Sequence, residues 1–139
     1  MAETLKLNIL SPERKLLNEA VAEVVTLPGS EGQVQILPGH AAMVGTLHTG
    51  TFRYRAPGGA EESGAISTGF FEVKDDVVNV LAETIELRSE IDVARAKSAQ
   101  SKAEAALKDS DMDEDKFRKH QLKLQRALVR QQAAAREYS

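Results

Sequence analysis

The segment GSEGQVQILPGHA, residues 29–41, sets the character of the first half of the chain. Two glycines bracket Ser30-Glu31, and Pro38-Gly39 is a natural central pair for a type II turn. A phosphate-binding loop would need Gly-Lys-Ser/Thr at the start of a helix, and this segment lacks it. The residues alone therefore favour two hairpin turns around a short strand over a ligand-binding loop.

Turn-forming residues are confined to the first half of the chain. All nine glycines lie at or before Gly69 and all four prolines at or before Pro57, so the last 70 residues contain neither. Helix interiors exclude both residue types, whereas sheets need them at their turns. The sequence predicts an α+β fold that is mainly β: an N-terminal antiparallel β-sandwich (1–87), followed by a C-terminal antiparallel two-helix hairpin (88–139).

Short segments of the first half alternate apolar and polar residues with a period of two. They cover residues 5–9, 21–27, 52–54, 71–73 and 78–82. Such spacing, with turns between the segments, indicates a sandwich or a flattened barrel. Because aromatic residues make up 4% of the chain, we expect an aliphatic core.

The second half has the local signals of two helices. Ser89, with Asp92 three positions later, predicts an N-cap and a helix that runs to about Lys108. An acidic turn over 109–113 follows, and a second helix is expected from about Glu114 to near Glu137. Its predicted apolar stripe consists of Phe117, Leu124, Leu128 and Ala135.

The hairpin offers little apolar surface for burial. Residues 89–139 contain ten alanines, and burial of an alanine stabilises far less than burial of a leucine. The helices are therefore favoured locally but weakly committed to one packing partner. Two interpretations follow, a movable arm and a permanently docked hairpin.

Charge divides the chain in the same way as its turns. Residues 1–88 carry 7 Lys+Arg against 12 Asp+Glu, and residues 89–139 carry 11 against 9. The basic second helix is either a solvated face or a surface for an acidic partner. Nucleic acid is not an expected partner, because no aromatic side chains interleave with the basic ones.

Three arginines are expected to lie at one level of the hairpin. With the turn near residue 111, Arg95 comes level with Arg126, and Asp92 with Arg130. Arginine forks match phosphate oxygens, so this cluster would suit a nucleotide. The alternative is an exposed Asp92–Arg130 salt bridge, with Asp92 also capping the first helix.

Catalytic and metal-binding patterns are not recognisable. The chain has no cysteine, and His40, His48 and His120 lack metal-ligand spacing with a carboxylate pair. No nucleophile motif occurs, and no apolar run approaches the roughly 20 residues of a membrane-spanning helix. We therefore expect a non-enzyme with no metal site and no direct membrane insertion.

The segment 29–44 resembles the signature of the epsilon subunit of F-type ATP synthases, commonly G-x-x-G-x-x-G-I-L-P-G-H-A-P-L. The similarity continues in order through STGFFEV (67–73), VNVLA (78–82) and IDVARA (91–96). Gln35, Ala42 and Thr68 depart from the usual residues. The resemblance implies a subunit of the central stalk of a proton-translocating ATP synthase, non-catalytic and without a required cofactor.

The resemblance also implies a regulatory ATP site. Some bacterial epsilon subunits bind ATP through an I-D-x-x-R-A element, an upstream glutamate and two arginines of the second helix. The matching residues here are Glu86, Ile91, Asp92, Arg95, Ala96, Arg126 and Arg130.

Partners and location follow from the same resemblance. The sandwich would join the gamma subunit to the ring of c subunits, with Glu31 and His40 as candidate contacts. Extended helices would meet the alpha and beta catalytic subunits and inhibit hydrolysis. Their candidate contacts are Arg118, Lys123, Arg126 and Arg130.

The expected location is peripheral, on the cytoplasmic face of the bacterial inner membrane. The alternatives are a nucleotide sensor or a coiled-coil adaptor without a rotor role.

Overall fold

The glycine-rich half forms ten strands and the other half forms two helices in the computed structural model, which describes residues 4–109 and 111–136. The strands are β1 (Leu5–Leu10), β2 (Lys15–Ala22), β3 (Val24–Gly29), β4 (Gly32–Ile36), β5 (Met43–Leu47), β6 (Gly50–Arg55), β7 (Glu61–Ile66), β8 (Gly69–Lys74), β9 (Val77–Ala82) and β10 (Ile85–Leu87). A 3-10 turn (Arg88–Glu90) precedes helices α1 (Val93–Leu107) and α2 (Glu114–Ala134). The predicted fold class is confirmed.

All ten strands belong to one sheet that curls around a single apolar core. The strand order is β10-β7-β6-β3-β5-β8-β9-β1-β2, with β4 paired to β3. The pairs are antiparallel except β1 with β9, which run parallel. The core cluster holds 17 buried apolar residues, all between Leu5 and Ile85. The strands therefore bury a complete core of their own.

The alternating segment 21–27 is two strands rather than the one predicted. β2 ends at Ala22, which pairs with Leu5, and β3 begins at Val24, which pairs with Arg55. The chain thus changes neighbours at Glu23, whose N–H donates to the Arg55 carbonyl at 2.8 Å. Periodicity does not reveal this corner because the alternation continues through it.

Two turns of the sandwich, one of them the predicted Pro38-Gly39 turn, have well-defined geometry. Asp75 and Asp76 both have positive φ, 51° and 61°, as a two-residue hairpin turn requires. Gly39 has φ 85°, and His40 N–H donates to the Leu37 carbonyl at 3.1 Å. Asp76 Oδ1 also accepts from Gly39 N–H at 2.8 Å, which ties the two turns together.

Helix α1 begins later than predicted. Asp92 is its N-cap, and its Oδ1 accepts from Arg95 N–H at 3.1 Å. Ser89 lies inside the 3-10 turn, so the predicted cap at Ser89 is wrong. Asp113 caps α2 in the same manner, through Lys116 N–H at 2.8 Å. The expected end of the second helix near Glu137 lies outside the described residues.

The buried face of α2 differs from the predicted stripe. Ala127, Val129 and Ala133 are its buried residues, whereas Phe117 is 41% exposed and Leu128 is 40% exposed. The helix packs against α1 and also against β6 and β7, so the closest face is the one that carries small side chains. Within the described residues, neither helix is long and apolar enough to cross a membrane.

Adjacent phenylalanines provide a matched test of this core. Phe71 is 1% exposed and Phe70 is 52% exposed. We expect Phe71→Ala to lower the free energy of unfolding by about 3–5 kcal/mol, because it leaves a cavity in the core. Phe70→Ala should change it by less than about 0.5 kcal/mol. Urea unfolding of both variants measures the difference, and equal losses would contradict the assigned burial.

Candidate functional site

A cavity of about 730 Å³ lies between the sandwich and the helical hairpin. Its sandwich side includes Thr49, Ala65 and Glu86, and its helical side includes Ala99 and Ala127. Five cationic side chains line it: Arg95, Lys102, Lys123, Arg126 and Arg130. This volume is within the usual range for small-molecule sites.

Two arginines of α2 pair with glutamates of the sandwich. Arg130 Nε and Nη2 donate to Glu86 Oε1 and Oε2 at 2.6 and 3.1 Å. Arg126 Nη2 donates to Glu83 Oε2 at 2.7 Å. The alternative Asp92–Arg130 bridge is therefore wrong, since Arg130 turns toward β10 while Asp92 caps α1.

The other cations of the cavity are available to a ligand. Arg95, Lys102 and Lys123 have no ion-pair partner within residues 4–109 and 111–136. Among the carboxylates, Glu13 and Glu86 line the cavity, so cations exceed anions there. Such a lining favours an anion, and guanidinium groups favour phosphate oxygens in particular.

Two buried polar atoms in the cavity wall have no hydrogen-bond partner among the described residues. They are Arg126 Nε and Thr49 Oγ1. An unpaired buried polar group costs about 1–3 kcal/mol, so hydrogen bonding is incomplete at these two positions. The cationic and small apolar side chains of the wall together suit a nucleotide phosphate.

The residues predicted to bind a nucleotide lie in different places in the structure. Glu86, Arg95, Arg126 and Arg130 line the cavity. The other three predicted residues do not line it: Ile91, Asp92 and Ala96. Ala96 is fully buried and Asp92 caps α1.

Ile91 belongs to a small apolar cluster that joins the two halves. It packs against Ala65, Val129 and Ala133, and these four residues are hereafter the docking cluster. Ala65 comes from β7, and Val129 and Ala133 come from α2. The cluster contains no aromatic or leucine side chain.

Sequence reasoning missed several lining residues, including Lys102, His120, Glu13 and Thr49. Lys102 had a usable signal, because it lies seven positions after Arg95 and therefore on the same helical face. Glu13 and Thr49 had none, since their positions depend on how the sandwich meets the hairpin.

The predicted partner contacts lie on separate surfaces. Glu31 is in the β3–β4 turn and His40 follows the other end of β4, so the strand, about 16 Å long, separates them. Lys123 lines the main cavity with Arg126 and Arg130. Arg118 instead lines a smaller cavity of about 420 Å³, together with Leu107, Leu122, Leu124 and Leu128.

An apolar row crosses the outer face of the sandwich. Phe70 pairs with Leu81, and Leu81 pairs with Leu10, across the adjacent strands β8, β9 and β1. Phe70 and Leu81 are exposed. We call these three residues the outer row. Apolar side chains gathered on a surface are typical of a protein-binding face.

The segment that joins sandwich and helices, residues 88–92, contacts both the end of α2 and the β1–β2 turn. Arg88 Nε donates to the Ala134 carbonyl at the end of α2, at 3.1 Å. Arg14, in the β1–β2 turn, donates two hydrogen bonds to Glu90. We call residues 88–92 the joining segment.

The Arg14–Glu90 pair changes the titration of both groups. The hydrogen bond from Arg14, followed by that from Leu87 N–H, lowers the pKa of Glu90, and the bond to Glu90 raises the pKa of Arg14. Because the folded-state pKa of Glu90 is depressed, its stabilising contribution is present at neutral pH. That contribution is lost as pH falls through this pKa.

No group of three or more His, Asp or Glu side chains in the described part of the chain could hold a metal ion.

Both halves of the chain match described protein families. Residues 4–88 match the ATP synthase, Delta/Epsilon chain, beta-sandwich domain, and residues 89–135 match the ATP synthase, Delta/Epsilon chain, long alpha-helix domain. The chain belongs to the ATP synthase delta/epsilon chain family. The resemblance drawn from residues 29–44 is thereby confirmed.

Relatives within this family are similar over nearly their whole length. The ATP synthase epsilon chain of Geobacter metallireducens is 42% identical over 136 residues, which cover 98% of this chain and 97% of that one. The epsilon chain of Trichlorobacter lovleyi is 43% identical with the same coverage.

Solved structures share the fold. A chain in the cryo-EM structure of the Euglena gracilis mitochondrial ATP synthase (OSCP/F1/c-ring) matches with a TM-score of 0.81 and 23% identity. The match covers 93% of this chain and 80% of that one. A chain of the Tetrahymena thermophila mitochondrial ATP synthase central stalk and c-ring matches with a TM-score of 0.52 and 15% identity. It covers 63% of this chain and 69% of that one.

The Glu86–Arg130 pair is expected to hold α2 against β10. A double-mutant cycle with Glu86→Ala and Arg130→Ala should give a coupling energy of about 1 kcal/mol, because both side chains are partly buried and the contact is bidentate. Hydrogen exchange of the α2 amides measures it. The control pair Glu23–Arg55 lies on the sandwich, is more exposed, and should leave α2 exchange unchanged. Zero coupling at Glu86–Arg130 would contradict the assigned role.

Proposed function

We propose that this chain is a non-catalytic subunit of the central stalk of a bacterial F-type, proton-translocating ATP synthase. Its sandwich would join the gamma subunit to the ring of c subunits on the cytoplasmic face of the membrane. Its helices would regulate ATP hydrolysis. Support comes from family membership over both halves and from full-length relatives named as epsilon chains.

The observation that carries this proposal is the unequal way in which the two halves are stabilised. The sandwich encloses 17 buried apolar residues, whereas the docking cluster joins it to the hairpin through alanine, valine and isoleucine only. Two ion pairs, Arg126–Glu83 and Arg130–Glu86, add to this attachment. Such a hairpin can leave without opening the core of the sandwich, which a regulatory arm requires.

The detached arm would bind the catalytic subunits. Arg118, Lys123, Arg126 and Arg130 would face an acidic segment there and block rotation in the hydrolysis direction. Two features of the docked state support this role. Phe117, Leu122 and Leu128 are exposed large apolar residues on α2, and release of α2 would free two more arginines from Glu83 and Glu86.

The sandwich would attach to the rotor through two kinds of surface. The outer row offers apolar area for the gamma subunit. The turns that carry Glu31 and His40 offer polar contacts, and their separation along β4 lets one sandwich touch two partners at once.

ATP is the proposed regulatory ligand of the main cavity. The cavity walls come from both the sandwich and the hairpin, so a ligand that contacts both would bind the docked state more tightly. A ligand shifts a conformational equilibrium only by this difference in affinity. Arg95, Arg126 and Arg130 would hold the phosphates, with Glu86 fixing Arg130.

Deletion of residues 89–139 tests the proposed division of labour. The shortened chain should still co-purify with gamma, because the sandwich has its own core, and the complex should hydrolyse ATP faster. In the full-length chain, Phe70→Ala should weaken co-purification with gamma, while Phe117→Ala, the same change on α2, should not. Loss of gamma binding on deletion would contradict the proposal, as would unchanged hydrolysis.

Titration of the isolated chain with ATP tests the ligand. Binding should saturate, and Arg95→Ala or Arg126→Ala should weaken it at least tenfold, or about 1.4 kcal/mol. Arg118→Ala is the matched control, because Arg118 lies on α2 but outside the cavity. No saturable signal at millimolar ATP, or equal effects of Arg118→Ala and Arg126→Ala, would contradict ATP binding at this cavity.

A further inference from the structure

The turn between β1 and β2 makes a close ionic contact with the joining segment. Arg14 Nη1 donates to Glu90 Oε2 at 2.8 Å, and Arg14 Nη2 donates to Glu90 Oε1 at 2.6 Å. Two parallel N–H···O bonds fix the relative orientation of the two groups, which a single contact does not. The pair links positions 76 residues apart in the chain, so it reports directly on how the two halves meet.

The guanidinium group is presented by a turn that is already ordered. Ser11 N–H donates to the Arg14 carbonyl at 2.8 Å, and Ser11 Oγ accepts from Arg14 N–H at 3.2 Å. The turn backbone is therefore held by hydrogen bonds of its own that do not involve Glu90. Less conformational entropy is lost on pairing than for two free surface side chains.

The carboxylate of Glu90 is fixed from the other side as well. Glu90 Oε1 accepts from the N–H of Leu87, the last residue of β10, at 2.9 Å. Glu90 thus bridges the end of the sheet and the β1–β2 turn, two positions before the residue that caps α1. If the helices left the sandwich by rotation at residues 88–90, this rotation would break the bridge.

We propose that the Arg14–Glu90 pair is a latch on the joining segment, which sets how often the helical arm leaves the sandwich. The inference rests on the movable arm described under the proposed function and adds its point of control. Neither Arg14 nor Glu90 lines the main cavity, so a ligand there would not contact the latch directly. The neighbouring Glu13 does line that cavity, which places the latch beside it.

Hydrogen exchange in the isolated full-length chain tests the latch. Arg14→Ala and Glu90→Gln should each speed exchange of the α2 amides about two- to fivefold, the range expected for a partly exposed ion pair. Glu90→Gln keeps an acceptor for Leu87 N–H, so its effect isolates the lost charge. Exchange in β8 and β9 should stay unchanged, since their amides belong to the sandwich. Arg55→Ala is the matched control, because it breaks a different ion pair of the sandwich, Arg55–Glu23, and should leave α2 exchange unchanged.

Reversal of the pair provides an independent check. Arg14→Glu combined with Glu90→Arg should return α2 exchange toward the rate of the unaltered chain, whereas either reversal alone should speed it. The latch is refuted if Arg14→Ala leaves α2 exchange unchanged while Arg130→Ala speeds it. If α2 exchanges only together with β8 and β9 in every variant, the movable arm itself is wrong.

Discussion

The apolar core enclosed by the ten strands is the constraint on which the rest of the molecule depends. Its members lie between Leu5 and Ile85, so the chain completes this core before the helices begin. Phe52 and Phe71 fill its centre, surrounded by leucine, isoleucine and valine. At about 25 cal/mol per Å² of buried apolar surface, these side chains dominate the stability of the sandwich. The helices can then be attached by weaker contacts.

The attachment is chemically different from the core. The docking cluster buries alanine and valine side chains, which remove little apolar area from water. Two arginines of α2 form ion pairs with Glu83 and Glu86, and Arg14 of the β1–β2 turn forms an ion pair with Glu90. Partly exposed ion pairs of this kind are individually weak and sensitive to salt. A joint built in this way can open at a small cost in free energy. The attachment also encloses a cationic cavity, so a ligand bound there, as proposed above, would oppose its opening.

Much of this architecture could be predicted from the sequence, because turn residues and alternation are local signals. The hairpin at Asp75-Asp76 and the turn at Pro38-Gly39 were predictable for that reason. The corner at Glu23 was not, since it depends on which strands become neighbours. The stripe of α2 was predicted wrongly because large apolar residues usually face inward, whereas this helix meets its neighbours through Ala127 and Ala133. At the site, antiparallel helix geometry was enough to place Arg95 at the level of Arg126. The glutamates that pair with Arg126 and Arg130 could not be predicted, because they depend on how the hairpin packs against the sandwich.

The central claim is that the sandwich is stable without the helices. Urea unfolding of residues 1–88, produced as a separate chain and compared with the full-length chain, tests it most directly. The account predicts that the fragment unfolds in a single cooperative transition. Its urea midpoint should be close to the midpoint at which the sandwich unfolds in the full-length chain. A fragment that shows no cooperative transition, although it remains soluble, would contradict it.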